Sequence, residues 1–293
     1  MHQHGVGGNI EGVVDIVRGM CIRKRYIALL DCRNAFNTVD RRAIVAALGA
    51  HAELAPVWRL ATWLLSPTCL CALEDGRTSS MLMSESGVRQ GSVLGPLFFS
   101  LALQPVIAKL TEEFPDAEQA AYLDDLTLSA STAEELCRLF ARAKELLRAI
   151  GLELNATGKT KILTPVPTTN TPDNLPAEPG IVKALGAFVA VTDVTDDEFA
   201  QAILARGQKS KVFFDALNGS RLPHQMKYRL LRGCGLPRFN FLIRTHPPEQ
   251  TQDLAAWADK QVEKSASLIA GPDVVDSDFF RVPVKMGGLG LRS

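Results

Sequence analysis

The sequence predicts an α/β fold of the α+β kind: an antiparallel sheet flanked by helices, followed by a helical region. Three observations carry that expectation. Tyr26-Ile27-Ala28-Leu29-Leu30 is an unbroken apolar run of strand length that stops at Asp31. Ala120-Ala121-Tyr122-Leu123-Asp124-Asp125-Leu126-Thr127-Leu128 reads as two short strands joined at paired aspartates. Beyond residues 164–180, which hold five of the sixteen prolines, helical patterns dominate.

Taken in order, the opening to about residue 19 mixes glycines with one short apolar, helix-like run. After the strand at 26–30, helices are expected over 41–48 and 57–65. Residues 69–73 and 81–83 flank Asp75-Gly76, a hairpin turn signal. A loop at 87–91 leads into a helix over about 92–110. The clearest helix covers 133–150, with Thr132 as N-cap and Glu135 completing a capping box. Its apolar stripe is Leu136, Leu139, Phe140, Ala143, Leu146, Leu147 and Ile150, and Gly151 stops it. Residues 181–191 read as strand; helices follow over 196–217, 223–233 and 249–269. The expected domains are 1–192, containing the proline-rich loop 164–180, and a helical 193–293.

At 293 residues and 46% hydrophobic, the chain can bury a real core. Its 32 basic and 32 acidic residues cancel, so bulk charge points to no partner. Six cysteines without a Cys-x-x-Cys pair read as reduced thiols. The N-terminus lacks signal-peptide architecture, and the longest apolar run, near 97–108, is interrupted by Gln104 and Pro105 and too short for a bilayer. An intracellular protein without a membrane partner is expected.

Adjacent aspartates in an apolar hairpin are costly, because Asp is disfavoured in strands and rarely buried. A cation offsets the cost. Asp31 ends one strand and Asp124 and Asp125 punctuate another pair. Three carboxylates on neighbouring strand ends suit two Mg²⁺ ions, or Mn²⁺ in their place, about 3.5–4 Å apart. The bland alternative is a pair of solvated turn aspartates. Three other motifs fail. Gly158-Lys159-Thr160 has Glu153 where a phosphate loop needs glycine; Gly5-Val6-Gly7 is followed by Ile10 rather than a third glycine; and Asp31–Phe36 has Phe where a calcium loop needs glycine.

Five phrases then occur in a recognisable order. Leu30-Asp31-Cys32-Arg33-Asn34-Ala35-Phe36-Asn37-Thr38-Val39-Asp40 resembles the first catalytic motif of reverse transcriptases. Ser86-Gly87-Val88-Arg89-Gln90-Gly91-Ser92-Val93-Leu94-Gly95-Pro96 resembles the second, and Tyr122-Leu123-Asp124-Asp125 the third. Gly151-Leu152-Glu153-Leu154-Asn155 with Lys159 resembles the fourth, and Leu185-Gly186-Ala187 the primer-grip strand. The wording is most similar to non-LTR (LINE-type) retrotransposon enzymes.

The resemblance implies a right-hand polymerase palm with a fingers remnant, then a helical thumb. It implies RNA-directed DNA synthesis with Asp31, Asp124 and Asp125 as catalytic metal ligands and Lys159 acting on the leaving pyrophosphate. It further implies nucleotide contacts from Phe36, Arg89, Gln90, Gly91 and Tyr122, with the Phe36 ring under the sugar excluding a 2′-hydroxyl and Gln90-Gly91 opening a helix beside the site. Phe36 also reads as a core aromatic, and Lys159 as plain surface. The implied partners are an RNA template, a DNA primer or nicked target DNA, deoxynucleoside triphosphates and other parts of the same element's protein, with nuclear residence by analogy alone. Because the first aspartate falls at 31 and the chain stops soon after Gly287-Gly288-Leu289-Gly290, a portion truncated at both ends is expected. Gly158 is one residue more than the fourth motif needs, and Leu123 is bulkier than the small residue usual before the paired aspartates. The alternatives are an inactive remnant that binds nucleic acid and an RNA-directed RNA polymerase.

Charge is not evenly spread. Residues 206–246 carry nine basic side chains (Arg206, Lys209, Lys211, Arg221, Lys227, Arg229, Arg232, Arg238 and Arg244) against one acid, Asp215. Phe213, Phe214, Tyr228, Phe239 and Phe241 are interleaved. Such a region suits contact with nucleic-acid phosphates; it equally suits a solvated helical face with core aromatics.

Overall fold

The computed structural model of the chain describes residues 2–4, 9–74, 77–155, 159–271, 278–286 and 288–291. The Asp75-Gly76 turn, Gly158, Gly5-Val6-Gly7 and Gly287 lie outside the described residues. Two compact units divide the chain, Met1–Gly180 and Ile181–Ser293.

The first unit opens with β1 (His2–His4) and α1 (Ile10–Ile22), whose first turn is capped by the Asn9 side chain accepting the Glu11 N–H at 3.0 Å. β2 (Tyr26–Leu30), α2 (Ala35–Thr38), α3 (Arg41–Gly49) and α4 (Ala55–Leu65) follow. A separate antiparallel ladder pairs β3 (Thr68–Glu74) with β4 (Arg77–Ser84), as the hairpin signal predicts. Next come α5 (Gly95–Glu113), β5 (Glu118–Tyr122), β6 (Asp125–Ala130), α6 (Ala133–Ala149) and β7 (Lys161–Leu163).

The main sheet runs β1-β5-β6-β2-β7. β1 pairs parallel with β5, and the remaining neighbours are antiparallel. β6 is buried from Leu126 to Ala130, which explains its continuous apolar reading. Helices α5 and α6 supply Phe98, Phe99, Leu103, Ile107, Leu136, Leu139 and Phe140 to one core with Ala28, Leu30, Leu126 and Leu128. Each such large side chain contributes roughly 1.5–3 kcal/mol when fully buried.

Several boundaries differ from expectation for local reasons. α5 starts at Gly95, three residues late, because Pro96 fits the first helical turn and residues 92–94 form a turn instead. Gln90 and Gly91 therefore lie in a turn ahead of that helix and do not open it. The capping box of α6 is half made: Thr132 Oγ1 accepts the Glu135 N–H at 3.1 Å, but Glu135 accepts from the Ser131 N–H. Residues 181–191 form a hairpin, β8 (Val182–Ala184) and β9 (Ala187–Val189), turning at Leu185-Gly186.

In the second unit the expected helix over 196–217 breaks at Ser210 into α7 (Asp196–Gln208) and α8 (Lys211–Gly219). The full capping box absent from α6 occurs on α7, between Thr195 and Glu198. α9 (His224–Leu230) passes through a π-helical turn, Leu231–Gly235, into an unexpected α10 (Pro237–Thr245). α11 (Pro248–Ala270) and the short α12 (Asp278–Arg281) complete the unit. Its core gathers Ile203, Phe214, Phe239, Leu254, Val262 and Phe280. Among the described residues no helix is long and apolar enough to cross a membrane.

Candidate active site

Strand register decides where the three aspartates lie. In the antiparallel β2–β6 pair, Leu30 faces Leu126, and in the β5–β6 hairpin Tyr122 faces Asp125. Asp31 is one residue beyond Leu30 and Asp125 one residue before Leu126, so both leave the sheet at the same end. Asp124 shares the hairpin tip with Leu123, which takes a left-handed backbone (φ +54°) that few side chains adopt without cost.

Electrostatics record the convergence. Asp125 keeps exposed surface at the tip, yet packing behind it, then the Asp124 charge, then the Asp31 charge raise its pKa from 3.8 to about 6. Burial first, and then Asp124, Asp31 and Asp125 together, push the neighbouring Cys32 thiol up to about 12. One cysteine thus feels all three carboxylates. Among the described residues no three His, Cys, Asp or Glu side chains already stand in a metal-holding arrangement. Mg²⁺ binds through one or two carboxylates plus waters and substrate phosphates, so three carboxylates without substrate are not a closed cage. The donors are hard oxygens, and the mutual repulsion that adds to burial in raising Asp125 is what a divalent cation would relieve; the residues fit the ion.

Asp31 is held on its far side. Asn155 Nδ2 donates to Asp31 Oδ2 at 3.1 Å, the Asn155 N–H donates to the Asp31 carbonyl at 2.8 Å, and Thr160 Oγ1 accepts the Asp31 N–H at 3.4 Å. Lys159 Nζ lies 4.0 Å from Asp31 Oδ2 while 67% exposed. The fourth motif therefore reaches the first aspartate, although Gly158 itself is not described.

The second motif hangs on the segment after Asp31. Val88 N–H donates to the Phe36 carbonyl at 2.7 Å, Gly87 N–H to the Val39 carbonyl at 2.8 Å, and Ser86 Oγ to the Asn37 carbonyl at 2.9 Å. Gln90 Nε2 meets Asn37 Oδ1 at 3.5 Å, and Arg89 donates to Thr68 Oγ1 at 2.7 Å. Gly91 takes φ +81° with open space where a Cβ would point. Phe36 stacks on Phe99 with ring centroids 4.6 Å apart, so its core role is real, while the ring remains only half-buried. Tyr122 ends β5, half-buried, beside the carboxylates. Sequence reasoning missed Arg41, buried at 7% exposure beneath this loop, because its acceptors are remote in sequence.

In the second unit Arg206, Lys209, Lys211, Arg221, Arg229 and Arg232 are exposed and Lys227 is half-buried. Lys211 is already paired with Asp215 at 2.6 Å. The interleaved aromatics are mostly structural: Phe214 packs on Phe213, Phe239 and Trp257, and Arg238 covers the Phe213 ring at 4.3 Å. They do not form an exposed stacking platform.

Comparison with known proteins agrees with the motif order. Residues 15–211 match the family model "Reverse transcriptase (RNA-dependent DNA polymerase)". The "Retrotransposable element SLACS 132 kDa protein" of Trypanosoma brucei gambiense is 33% identical over 99% of this chain, which spans 24% of that protein. A Pol polyprotein from retrotransposable element R2 of Nasonia vitripennis is 32% identical over 46% of this chain and 14% of its own length. That of Popillia japonica is 23% identical over 90% of this chain and 46% of its own length. Among solved structures, apo telomerase from Candida tropicalis aligns over 91% of this chain and 50% of that one at 12% identity with a TM-score of 0.49, a likeness too loose to carry an argument. With about two-thirds of its length inside the family model and the motifs in order, the chain belongs to the reverse transcriptase (RNA-dependent DNA polymerase) family, in the company of non-LTR retrotransposon proteins.

Proposed function

We propose that this chain is the polymerising part of a retrotransposon protein, with residues 1–192 acting as palm and partial fingers and 193–293 as thumb. It copies an RNA template by nucleotidyl transfer. The primer 3′-hydroxyl oxygen bonds to the α-phosphorus of a deoxynucleoside triphosphate, the bond to the bridging oxygen breaks, and pyrophosphate leaves. The observation that carries this reading is the β2–β6 register, which directs Asp31 and Asp125 to one sheet end beside Asp124.

Asp31 and Asp124, with Asp125 assisting, would hold two Mg²⁺ ions, or Mn²⁺ instead. When bound, such ions supply the positive charge that stabilises attacking and leaving oxygens. Asn155 and Thr160 orient Asp31. Lys159 neutralises or protonates the departing pyrophosphate. Phe36, braced by Phe99, presents its free edge to the sugar and disfavours a 2′-hydroxyl. Arg89, Gln90, Gly91 and Tyr122 line the nascent pair, the open side of Gly91 leaving room for close backbone approach. The exposed Arg206, Lys209, Arg221, Arg229 and Arg232, with Lys211 and Lys227, contact backbone phosphates of template and primer, the latter including nicked target DNA. The rest of a longer polyprotein is the expected covalent partner, and the nucleus the expected place of work.

Primer extension on an RNA template, with Mg²⁺ and then Mn²⁺, tests the reading. Deoxynucleotide incorporation abolished by Asp124→Asn is expected. Preferential ribonucleotide incorporation would point to an RNA polymerase. Nucleic-acid binding without synthesis, unchanged by Asp124→Asn, would leave a binding remnant.

A further inference from the structure

Among the described residues Arg41, the first of α3, has no carboxylate in ion-pair contact. It is 7% exposed, yet every hydrogen bond of its guanidinium goes to a carbonyl or hydroxyl. Nε donates to the Gly87 carbonyl at 2.8 Å. Nη1 donates to the carbonyls of Ser84 at 2.6 Å and Ser66 at 3.4 Å, and Nη2 to Ser84 Oγ at 2.9 Å. Burial and then the nearby Arg89 charge work against its cation, and the Glu85 charge favours it. Holding an unpaired cation out of water is expensive unless its protons are all well received. A planar fork that spans three separate backbone segments can do this; a lysine ammonium cannot.

The segments it joins are the end of α4, the end of β4 and the second-motif turn. Gly87 is gripped twice. Its N–H goes to Val39 and its carbonyl to Arg41. Its φ of +70° and the backbone of Asn37, 2.5 Å from where a Cβ would be, leave no other residue or placement for it. The direction of the Gly87 carbonyl sets the peptide plane into Val88, and hence the starting point of Arg89, Gln90 and Gly91.

From this geometry we infer that Arg41 is a positioning residue for the incoming nucleotide: it acts through the Gly87 carbonyl to set the Arg89–Gly91 turn, without touching substrate. The inference rests on the polymerase reading above.

The test uses the full chain with Arg41→Met and Arg41→Lys, and Ser84→Ala as a milder variant that removes one acceptor and no charge. Two readouts are taken: hydrogen exchange resolved along the chain, and KM for deoxynucleotide against kcat in primer extension on RNA. For Arg41→Met, exchange should rise over residues 84–91 while β2, β5 and β6 stay protected. KM should rise about tenfold or more, as small misplacements of a binding group do, with kcat and primer-template affinity changing less. Arg41→Lys should lie between, and Ser84→Ala should shift KM by about two- to threefold, matching the loss of one modest hydrogen bond. Uniform loss of protection, or local loosening with KM within about twofold of the parent, overturns the inference. Should Arg41→Met not fold, Ser84→Ala decides: unchanged exchange and KM overturn it. A parent chain that extends no primer refutes the polymerase reading instead, and exchange confined to 84–91 then still separates a loop-setting residue from a general stabiliser.

Discussion

Two glycines four residues apart in the second motif should lose very different amounts of stability on replacement by alanine. Both take positive φ, +70° at Gly87 and +81° at Gly91. A left-handed L-residue costs roughly 1–2 kcal/mol, and replacing glycine returns about half of that by restricting the unfolded chain. Gly91→Ala should thus lose about 1 kcal/mol at most, since nothing lies within 4 Å of the new methyl. At Gly87 the methyl would sit 2.5 Å from Cα, C and O of Asn37. Those are backbone atoms and cannot swing aside. Relief requires the loop to lift, which breaks the Gly87–Val39 and Val88–Phe36 hydrogen bonds of 2.8 and 2.7 Å. At about 1 kcal/mol for each bond, and more if the donors stay dry, Gly87→Ala should cost roughly 3–5 kcal/mol. Function need not follow stability: if the proposed nucleotide contact at Gly91 holds, Gly91→Ala should impair synthesis in a protein that remains folded. Urea denaturation followed by fluorescence suits the stability arm, because Trp58 and Trp63 lie on α4 and report the unit containing both glycines. A Gly87→Ala cost no larger than that of Gly91→Ala would refute the steric argument.

Asp125→Asn should stabilise the metal-free fold at pH 7. A carboxyl whose folded pKa is raised from 3.8 to about 6 binds more protons folded than unfolded across that window, so stability falls as pH rises through it and stays lower above. The gain should vanish at pH 3, and an equal gain at both pH values would contradict it. His246 is buried, with Nε2 accepting the Phe188 N–H at 3.0 Å and Nδ1 3.0 Å from the Leu242 carbonyl. Its replacement by Phe should cost roughly 1–3 kcal/mol through the orphaned Phe188 N–H, read by urea denaturation at Trp257, whereas an unchanged midpoint would show that bond to be idle. Arg229→Ala with Arg232→Ala should flatten the slope of log K against log salt for duplex binding by about 1.8, while Lys211→Ala, whose charge Asp215 already balances, should change it less; equal slopes for all three proteins would remove these residues from the phosphate-contacting surface.

How much could be read beforehand depended on how local the cause was. The strand at 26–30, the hairpin around Asp124-Asp125 and α6 are fixed by periodicity within a few residues, and all three are present. Their meeting at one sheet end is not local, but motif order stood in for it. The errors arise where a neighbour, near or far along the chain, made the choice. Glu135 took the Ser131 N–H rather than that of its N-cap. The expected helix over 196–217 ends its first segment beside Gly207, where Leu254 of α11 packs against the bare backbone; a Cβ would lie 2.1 Å from its side chain. Nothing near Gly207 in sequence announces Leu254.

Arg41 carries the argument furthest. An arginine after Asp40 at a helix start reads as surface charge, and its neighbour Arg42 is that, 91% exposed in side chain and paired with Asp40 at 2.7 Å. The two differ only in which way the first turn of α3 faces. Arg42 looks to solvent and finds the acid beside it; Arg41 looks inward and finds oxygens 25 to 46 residues away. Composition and spacing describe the two residues identically. What distinguishes them is that the inward position faces oxygens of three chain segments, the ends of α4 and β4 and the second-motif turn, all remote in sequence. The paired aspartates were legible because their chemistry is unusual for a strand. The residue that holds the neighbouring loop was not, because its type is ordinary and only its surroundings are unusual.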